Sequence, residues 1–270
     1  MKKGFISVFS IIFIIVLTAC GADASGDEVD SDHIVVGVTA GPHEEIMEKV
    51  KDLAAEQGLE VELKVFTDYV IPNTALHEGE LDANVYQHQP FLNNFNEDKG
   101  LNLVSIGKAV NFPMGIYSEK INNIKDLQEG GTVGFPSIST GAPRALKLFE
   151  SAGIIELKDG VKNSELTVDD IVKNPKNLEF EPLDAAQIPS LLGELSIAAI
   201  NTNYATEAGL VPTEDALVIE PKDSPWVNVI ATREELKDDP TLKKLVDIYH
   251  SPEVKQFIKE KYNGSVIPSW

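Results

Sequence analysis

The chain has 270 residues, 43% hydrophobic and 24% charged, an ordinary soluble composition long enough for one large or two modest domains. Its formal charge of −20 leaves no basic patch to neutralise phosphates, which excludes nucleic acid as a partner and electrostatic docking on anionic lipid. The lone cysteine, Cys20, lies near the N-terminus, so the rest of the chain has no disulfide, cysteine-based zinc centre or thiol nucleophile.

Lys2 and Lys3 precede an apolar run over 5–17 and then Leu17-Thr18-Ala19-Cys20-Gly21. A positive head, a short apolar stretch and small residues before a cut predict a secretory signal peptide over 1–19, too short to span a membrane with these flanks. The site ends in cysteine and resembles the lipobox of bacterial lipoproteins. That resemblance implies cleavage before Cys20 and a diacylglyceryl group on its sulfur, and two or more acyl chains make a stable anchor. Residues 20–32, rich in Gly, Ala, Ser, Asp and Glu, are expected to be a lipidated flexible tether.

Residues 33–38 are a continuous β-branched run, the mark of a strand buried on both faces. A turn with Gly41-Pro42-His43-Glu44-Glu45 leads into a helical pattern that stops at Gly58, and 60–66 alternates as the next strand. This βαβ unit lacks GxGxxG and GxxxxGK[ST], so no nucleotide is indicated. Tyr69 follows the second strand, and a helix is predicted from Pro72 or Asn73 to Gly79. Further strands are predicted at 103–110, 132–136, 178–183, 197–200, 216–220 and 227–231. Helices are predicted over 145–152, with Pro143 at or near the start, over 184–192 with a kink or boundary at Pro189, and over 233–237 and 240–262. The fold class is α/β with two halves, and the closing helices make the first half discontinuous if they return to it.

The stretch Leu81-Asp82-Ala83-Asn84-Val85-Tyr86-Gln87-His88-Gln89-Pro90-Phe91-Leu92 carries the densest functional signal. In an extended run Asn84, Tyr86 and His88 share one face. Pro90 ends or redirects the element. A strand end that presents rings and neutral polar groups together is a common pocket wall in α/β proteins.

Gly-Pro-His-Glu-Glu, Pro-Asn-Thr-Ala-Leu, Gln-His-x-Pro-Phe, Pro-Met-Gly-Ile-Tyr, Asn-Thr-Asn-Tyr-Ala and Asp-Ser-Pro-x-x-Asn-Val follow one another in order between Gly41 and Val229. The chain resembles the NlpA/MetQ family of methionine-binding lipoproteins that feed an ABC importer. The resemblance implies a two-domain, periplasmic-binding-protein-like fold (type II-like) with two crossing strands and a ligand cleft between the domains. On that basis residues 33–111 with 227–270 are expected to form one domain and 112–226 the other. It also implies methionine (L- or D-) or a close relative as ligand, a permease and ATPase complex as partner, and a monomer at the extracytoplasmic face of the cell membrane. The alternatives are a methionyl dipeptide or another amino acid on the same fold, or a metal-binding or adhesin lipoprotein.

Residue by residue, the resemblance assigns Arg144 to the ligand carboxylate, Asn203 and Asn228 to its polar end, and Tyr69, Tyr86, His88 and Phe91 to the thioether slot. Asn201 and Met114 are further candidates. The chemistry is consistent: guanidinium grips carboxylate bidentately, amides offer donors and acceptors without net charge, and sulfur packs well against rings. Two departures stand out. The family usually has Pro-Asn-Asp-x-x-Asn-x-x-Arg where this chain has Pro136-Ser137-Ile138-Ser139-Thr140-Gly141-Ala142-Pro143-Arg144, and Tyr86 stands where phenylalanine is usual.

Neither a metal nor a catalytic reading finds support in the residues. The five histidines, His33, His43, His77, His88 and His250, do not pair at ligand spacing, and no GxSxG motif is present. The expectation is a binding protein with no catalytic residue, no metal and no cofactor.

Overall fold

The computed structural model describes residues 29–270, so Cys20, the signal peptide and most of the tether lie outside the described residues. Thirteen strands among the described residues build two principal sheets and a small hairpin. In chain order they are β1 (His33–Thr39), β2 (Glu60–Phe66), β3 (Ala83–His88), β4 (Leu103–Asn111), β5 (Gly115–Tyr117) and β6 (Thr132–Pro136). Then come β7 (Glu156–Leu157), β8 (Ile171–Lys173), β9 (Glu179–Leu183), β10 (Ile197–Ile200), β11 (Val218–Ile219), β12 (Val227–Arg233) and β13 (Ile267–Pro268). The helices are α1 (Pro42–Ala55), α2 (Ile71–His77), α3 (Gln89–Lys99), α4 (Gly141–Ser151), α5 (Ile188–Leu191), α6 (Thr202–Glu207), α7 (Pro212–Asp215), α8 (Pro240–Tyr249) and α9 (Pro252–Tyr262).

The six-stranded sheet runs β13-β4-β12-β3-β1-β2 and the five-stranded sheet β11-β5-β10-β6-β9. Each contains the same unit. A parallel trio, β2-β1-β3 or β9-β6-β10, is extended by an antiparallel strand that arrives from the other sheet, β12 or β5. Two links therefore cross between the sheets, 112–114 and 220–226. They are tied together where the Met114 amide donates to the Glu220 carboxylate (2.8 Å) and the Asn111 side-chain amide donates to the carbonyls of Lys222 and Ser224 (both 3.2 Å).

Burial follows the strand period. In β1, Ile34, Val36 and Val38 enter a core shared with α1, α8 and α9, while Val35 packs on the opposite face with Leu76, Leu81 and Leu92. In β10, Ile197 and Ala199 face one core of the second sheet and Ala198 and Ile200 the other. Both strands are covered on both faces, as an uninterrupted apolar run requires.

Several elements depart from the sequence expectations. The helix predicted over 240–262 is two helices, because Ser251 caps α9 through its side chain (Val254 N–H to Oγ, 3.3 Å) and Pro252 opens it. Of the kink or boundary expected at Pro189 the structure has the boundary: the helix expected over 184–192 is only the short α5, with Pro189 in its first turn. Pro143 is the third residue of α4, which begins at Gly141. The strand expected over 216–220 is only β11. Alternation along β3 is broken by a register shift against β12, where Asn228 to Val229 oppose His88 and Gln87 but Ile230 opposes Val85. Tyr86 is thus the extra residue of a bulge. Asn84 consequently shares its hydrogen bonds with Gln87 rather than a face with Tyr86 and His88.

Three buried amides fix α2 on β3. Asn73 donates to Gln87 (2.7 Å), Gln87 donates back to Asn73 (2.6 Å) and to Asn84 (2.9 Å), and Asn84 donates to Asn73 (2.9 Å). Losing one member leaves the others without partners in a dry core, which costs about 1–3 kcal/mol. Asn84→Ala should therefore lower the unfolding free energy by about 2 kcal/mol, read as a reduced midpoint in urea denaturation with an unchanged slope.

Candidate functional site

The carboxyl ends of the parallel strands of both sheets converge on one partly enclosed cavity. It is lined from the six-stranded side by His43, Tyr69, Tyr86, Gln87, His88, Phe91, Phe112 and Asn228, and from the five-stranded side by Ile138, Arg144, Asn201, Thr202 and Asn203. This is where open α/β sheets place ligands, because the loops leaving the strand ends diverge there. Each sequence-predicted site residue except Met114 is on this wall. Met114 is fully buried in the core of the second sheet, since the crossing link turns its side chain inward.

Arg144 is the centre of the polar end. Its position on the first turns of α4 sends the guanidinium to both crossing links at once. Nε donates to one Glu220 oxygen (2.8 Å), one terminal nitrogen donates to the other oxygen (2.5 Å) and to the Phe112 carbonyl (2.7 Å), and the charge lies 5.2 Å from the Trp226 ring. Both partners are at least nine-tenths buried. Nη1 has no partner among the described residues. Glu220 and Trp226 carry no local signal in the sequence, because they lie 76 and more positions from Arg144.

The asparagines present the complementary groups. Asn201 is the extended residue ahead of α6 and Asn203 lies in its first turn, so a bend separates them and both still reach the cavity. Tyr69 donates to Asn203 Oδ1 (2.6 Å), which leaves the buried Nδ2 as an unpartnered donor. Asn201 Oδ1 is a buried acceptor without a partner. Asn228 spends its Nδ2 on His43 Nε2 (2.8 Å) and on the Tyr86 carbonyl (3.2 Å), so its Oδ1 remains. Opposite Asn203, Gly41 adopts φ +81°, and a Cβ there would sit 3.3 Å from the Asn203 carbonyl. The close approach and the left-handed backbone both require glycine.

The apolar end is a ring cluster. Tyr86, Phe91 and Phe95 pack with Tyr69, and Tyr86 and Phe91 meet edge to face at 6.3 Å. The hydroxyl that Tyr86 adds to the usual phenylalanine is held by the Tyr69 carbonyl (2.9 Å), which keeps it from being an unpaired polar group in the slot. Burial raises the pKa of both tyrosines well above the ordinary phenol value, so both stay protonated donors.

The two histidines are neutral. Burial lowers His43 to about 3. Burial, then repulsion from Arg144, lowers His88 to about 3. Each imidazole is placed by its bonds. His88 Nδ1 accepts from the Phe91 amide (3.1 Å), and His43 accepts from Asn228 while its Nδ1 donates to Thr39 Oγ1 (2.8 Å). His43, Gln87, Phe112, Ile138 and Thr202 join the wall without having been singled out from the sequence, although His43 sits inside the Gly-Pro-His-Glu-Glu motif.

With this geometry in hand, relatives can be compared. The sequence profile of the NlpA lipoprotein family matches residues 34–270. The chain belongs to the NlpA lipoprotein family. It is 42% identical to the D-methionine-binding lipoprotein MetQ of Salmonella typhi over 271 aligned residues, 99% of this chain and 98% of that one. A nutrient-binding protein from Burkholderia cenocepacia, solved bound to methionine, superposes with a TM-score of 0.86 at 45% identity, covering 88% of this chain and all of the other. A crystal structure of the methionine-binding protein MetQ gives a TM-score of 0.86 at 42% identity, covering 89% and 99%. The α/β architecture is that of these substrate-binding proteins.

Neutral buried histidines make stability depend on pH. Unfolded, each takes up a proton near 6.5, whereas folded it does so only near 3, so the unfolded state binds more protons below about 6.5 and stability falls as pH falls. Between pH 7.5 and 5 the unfolding free energy should drop by about 2 kcal/mol per histidine. His43→Gln or His88→Gln should each remove part of that drop in denaturation curves at the two pH values.

Proposed function

We propose that the protein binds methionine, in its L or D form, or a close relative in the interlobe cavity and delivers it to the membrane subunits of an ABC importer. In this reading 33–111 with 227–270 form one domain, 112–226 the other, and a lipid on Cys20 holds a monomer at the extracytoplasmic face of the cell membrane. The protein acts by binding and release and not as an enzyme.

The observation that carries the reading is the inventory of groups left over at the polar end. Arg144 Nη1 and Asn203 Nδ2 are donors for a carboxylate; Asn201 Oδ1 and Asn228 Oδ1 are acceptors for an ammonium. Because Glu220 already neutralises Arg144, the wall has no net charge, which suits a zwitterion better than an anion or a cation. The ring cluster beside it suits a polarizable thioether, since sulfur is favourable about 5 Å from an aromatic edge. Its chemistry agrees with the ligands that the MetQ relatives are named for.

Closure follows from the same contacts. Tyr69 to Asn203, and the Tyr204 hydroxyl to the Thr67 carbonyl (3.3 Å), join the two lobes directly across the cavity. A ligand that bonds both walls prefers this closed form and shifts the open–closed balance toward it, and the closed form is what the importer recognises.

Asn203→Ala is the cleanest test, because Arg144→Ala would also strand Glu220 as a buried charge. Calorimetric titration of the purified protein, unfolded and refolded to remove carried-over ligand, should show saturable methionine binding. Asn203→Ala should weaken it about tenfold or more, while the unliganded protein still melts cooperatively at a somewhat lower temperature because Tyr69 loses the amide that accepts from it. Silence toward L-methionine, D-methionine and glycyl-methionine would overturn the ligand, and unchanged affinity in Asn203→Ala would overturn the site.

A further inference from the structure

We propose that Ile138 sets the longest ligand side chain the cavity accepts, an inference that rests on the methionine reading and deepens it. Ile138 lies in the turn between β6 and α4, a half-buried apolar side chain that lines the cavity. It packs on the cluster of Tyr86, Phe91 and Phe95, and among the described residues it is the five-stranded lobe's one contribution to that cluster. The rings line the slot from one lobe and Ile138 packs on them from the other, which on this proposal makes it the end wall.

The turn is built to hold it there. The Ile138 carbonyl accepts from the amides of both Gly141 (2.9 Å) and Ala142 (3.2 Å), which anchors the residue to the start of α4. A Cβ on Gly141 would come within 2.7 Å of Ile138 Cγ1 and 2.8 Å of Pro136 Cβ. Glycine at 141 therefore leaves the space that the Ile138 side chain fills, and Pro136 backs it. An end wall that is branched at Cβ and pressed against a turn yields little, because β-branched side chains have few rotamers. One methylene too many meets close-packed atoms and costs binding on the scale of tenfold or more.

Cutting the side chain back should move the limit outward. The experiment is calorimetric titration of stripped wild type, Ile138→Val and Ile138→Ala with methionine and with ethionine, which is one methylene longer, each in both L and D forms. Wild type should favour methionine. Ile138→Ala should raise the ratio of ethionine to methionine affinity about tenfold, with Ile138→Val between, while melting temperatures of the unliganded proteins stay close together. A ratio that changes less than threefold in Ile138→Ala overturns the proposal, whether both affinities hold or both fall, since a purely structural loss weakens both ligands alike. A wild-type protein silent toward both ligands in both L and D forms overturns the methionine reading and this inference with it, an outcome distinct from methionine binding with an unmoved ratio.

Discussion

The buried pair of Arg144 and Glu220 is the constraint on which the rest depends. Two charges removed from water are tolerated only when each is paired and its remaining bonds are made. Here the pairing draws on both crossing links, through the Phe112 carbonyl, the Glu220 carboxylate and the Trp226 face, and Glu220 in turn takes the Met114 amide. The charge that faces the cavity is thus fastened to the two segments about which the lobes would rotate. In the proposed function, a ligand carboxylate on the free side of Arg144 would reach both crossing links through a single residue.

Neutralising Arg144 also decides what the pocket can prefer. A bare guanidinium in a dry cleft would attract any anion; one already matched by a carboxylate offers a hydrogen-bond donor and little net field. The remaining selectivity comes from oriented amides and from shape. Tyr69 joins these two parts, packing on the rings while its hydroxyl fixes the orientation of Asn203. The bulge at Tyr86 serves the same end, because it lets three consecutive residues, Tyr86, Gln87 and His88, all reach the wall of one cavity.

Much of this was legible in the chain. A continuous β-branched run marked the doubly covered strand β1, a short uninterrupted apolar run marked β10, and proline with glycine marked the ends of α1 and α4. Where the reading failed, a competing local term had won. The Ser251-Pro252 cap outweighed apolar periodicity continuing through 240–262, and the bulge on β3 overrode strict alternation. Met114 was singled out by its motif, yet the direction of its side chain depends on the twist of the crossing link.

By itself the sequence determined the α/β class, because hydrophobic period and local turn chemistry are properties of neighbouring residues, and its ordered motifs carried the resemblance to the family and to the groups its site uses. The cavity residues Tyr69, Tyr86, His88, Phe91, Arg144, Asn201, Asn203 and Asn228 followed from that resemblance. Only the tertiary structure decided how they act. It put Glu220 on Arg144, turned the Asn203 and Asn228 amides in opposite senses through Tyr69 and His43, and set Ile138 against the rings. These are contacts between residues tens to hundreds of positions apart. Charge compensation, amide orientation and end-to-end fit depend on distances across the cleft, and no local pattern along a chain encodes a distance of that kind.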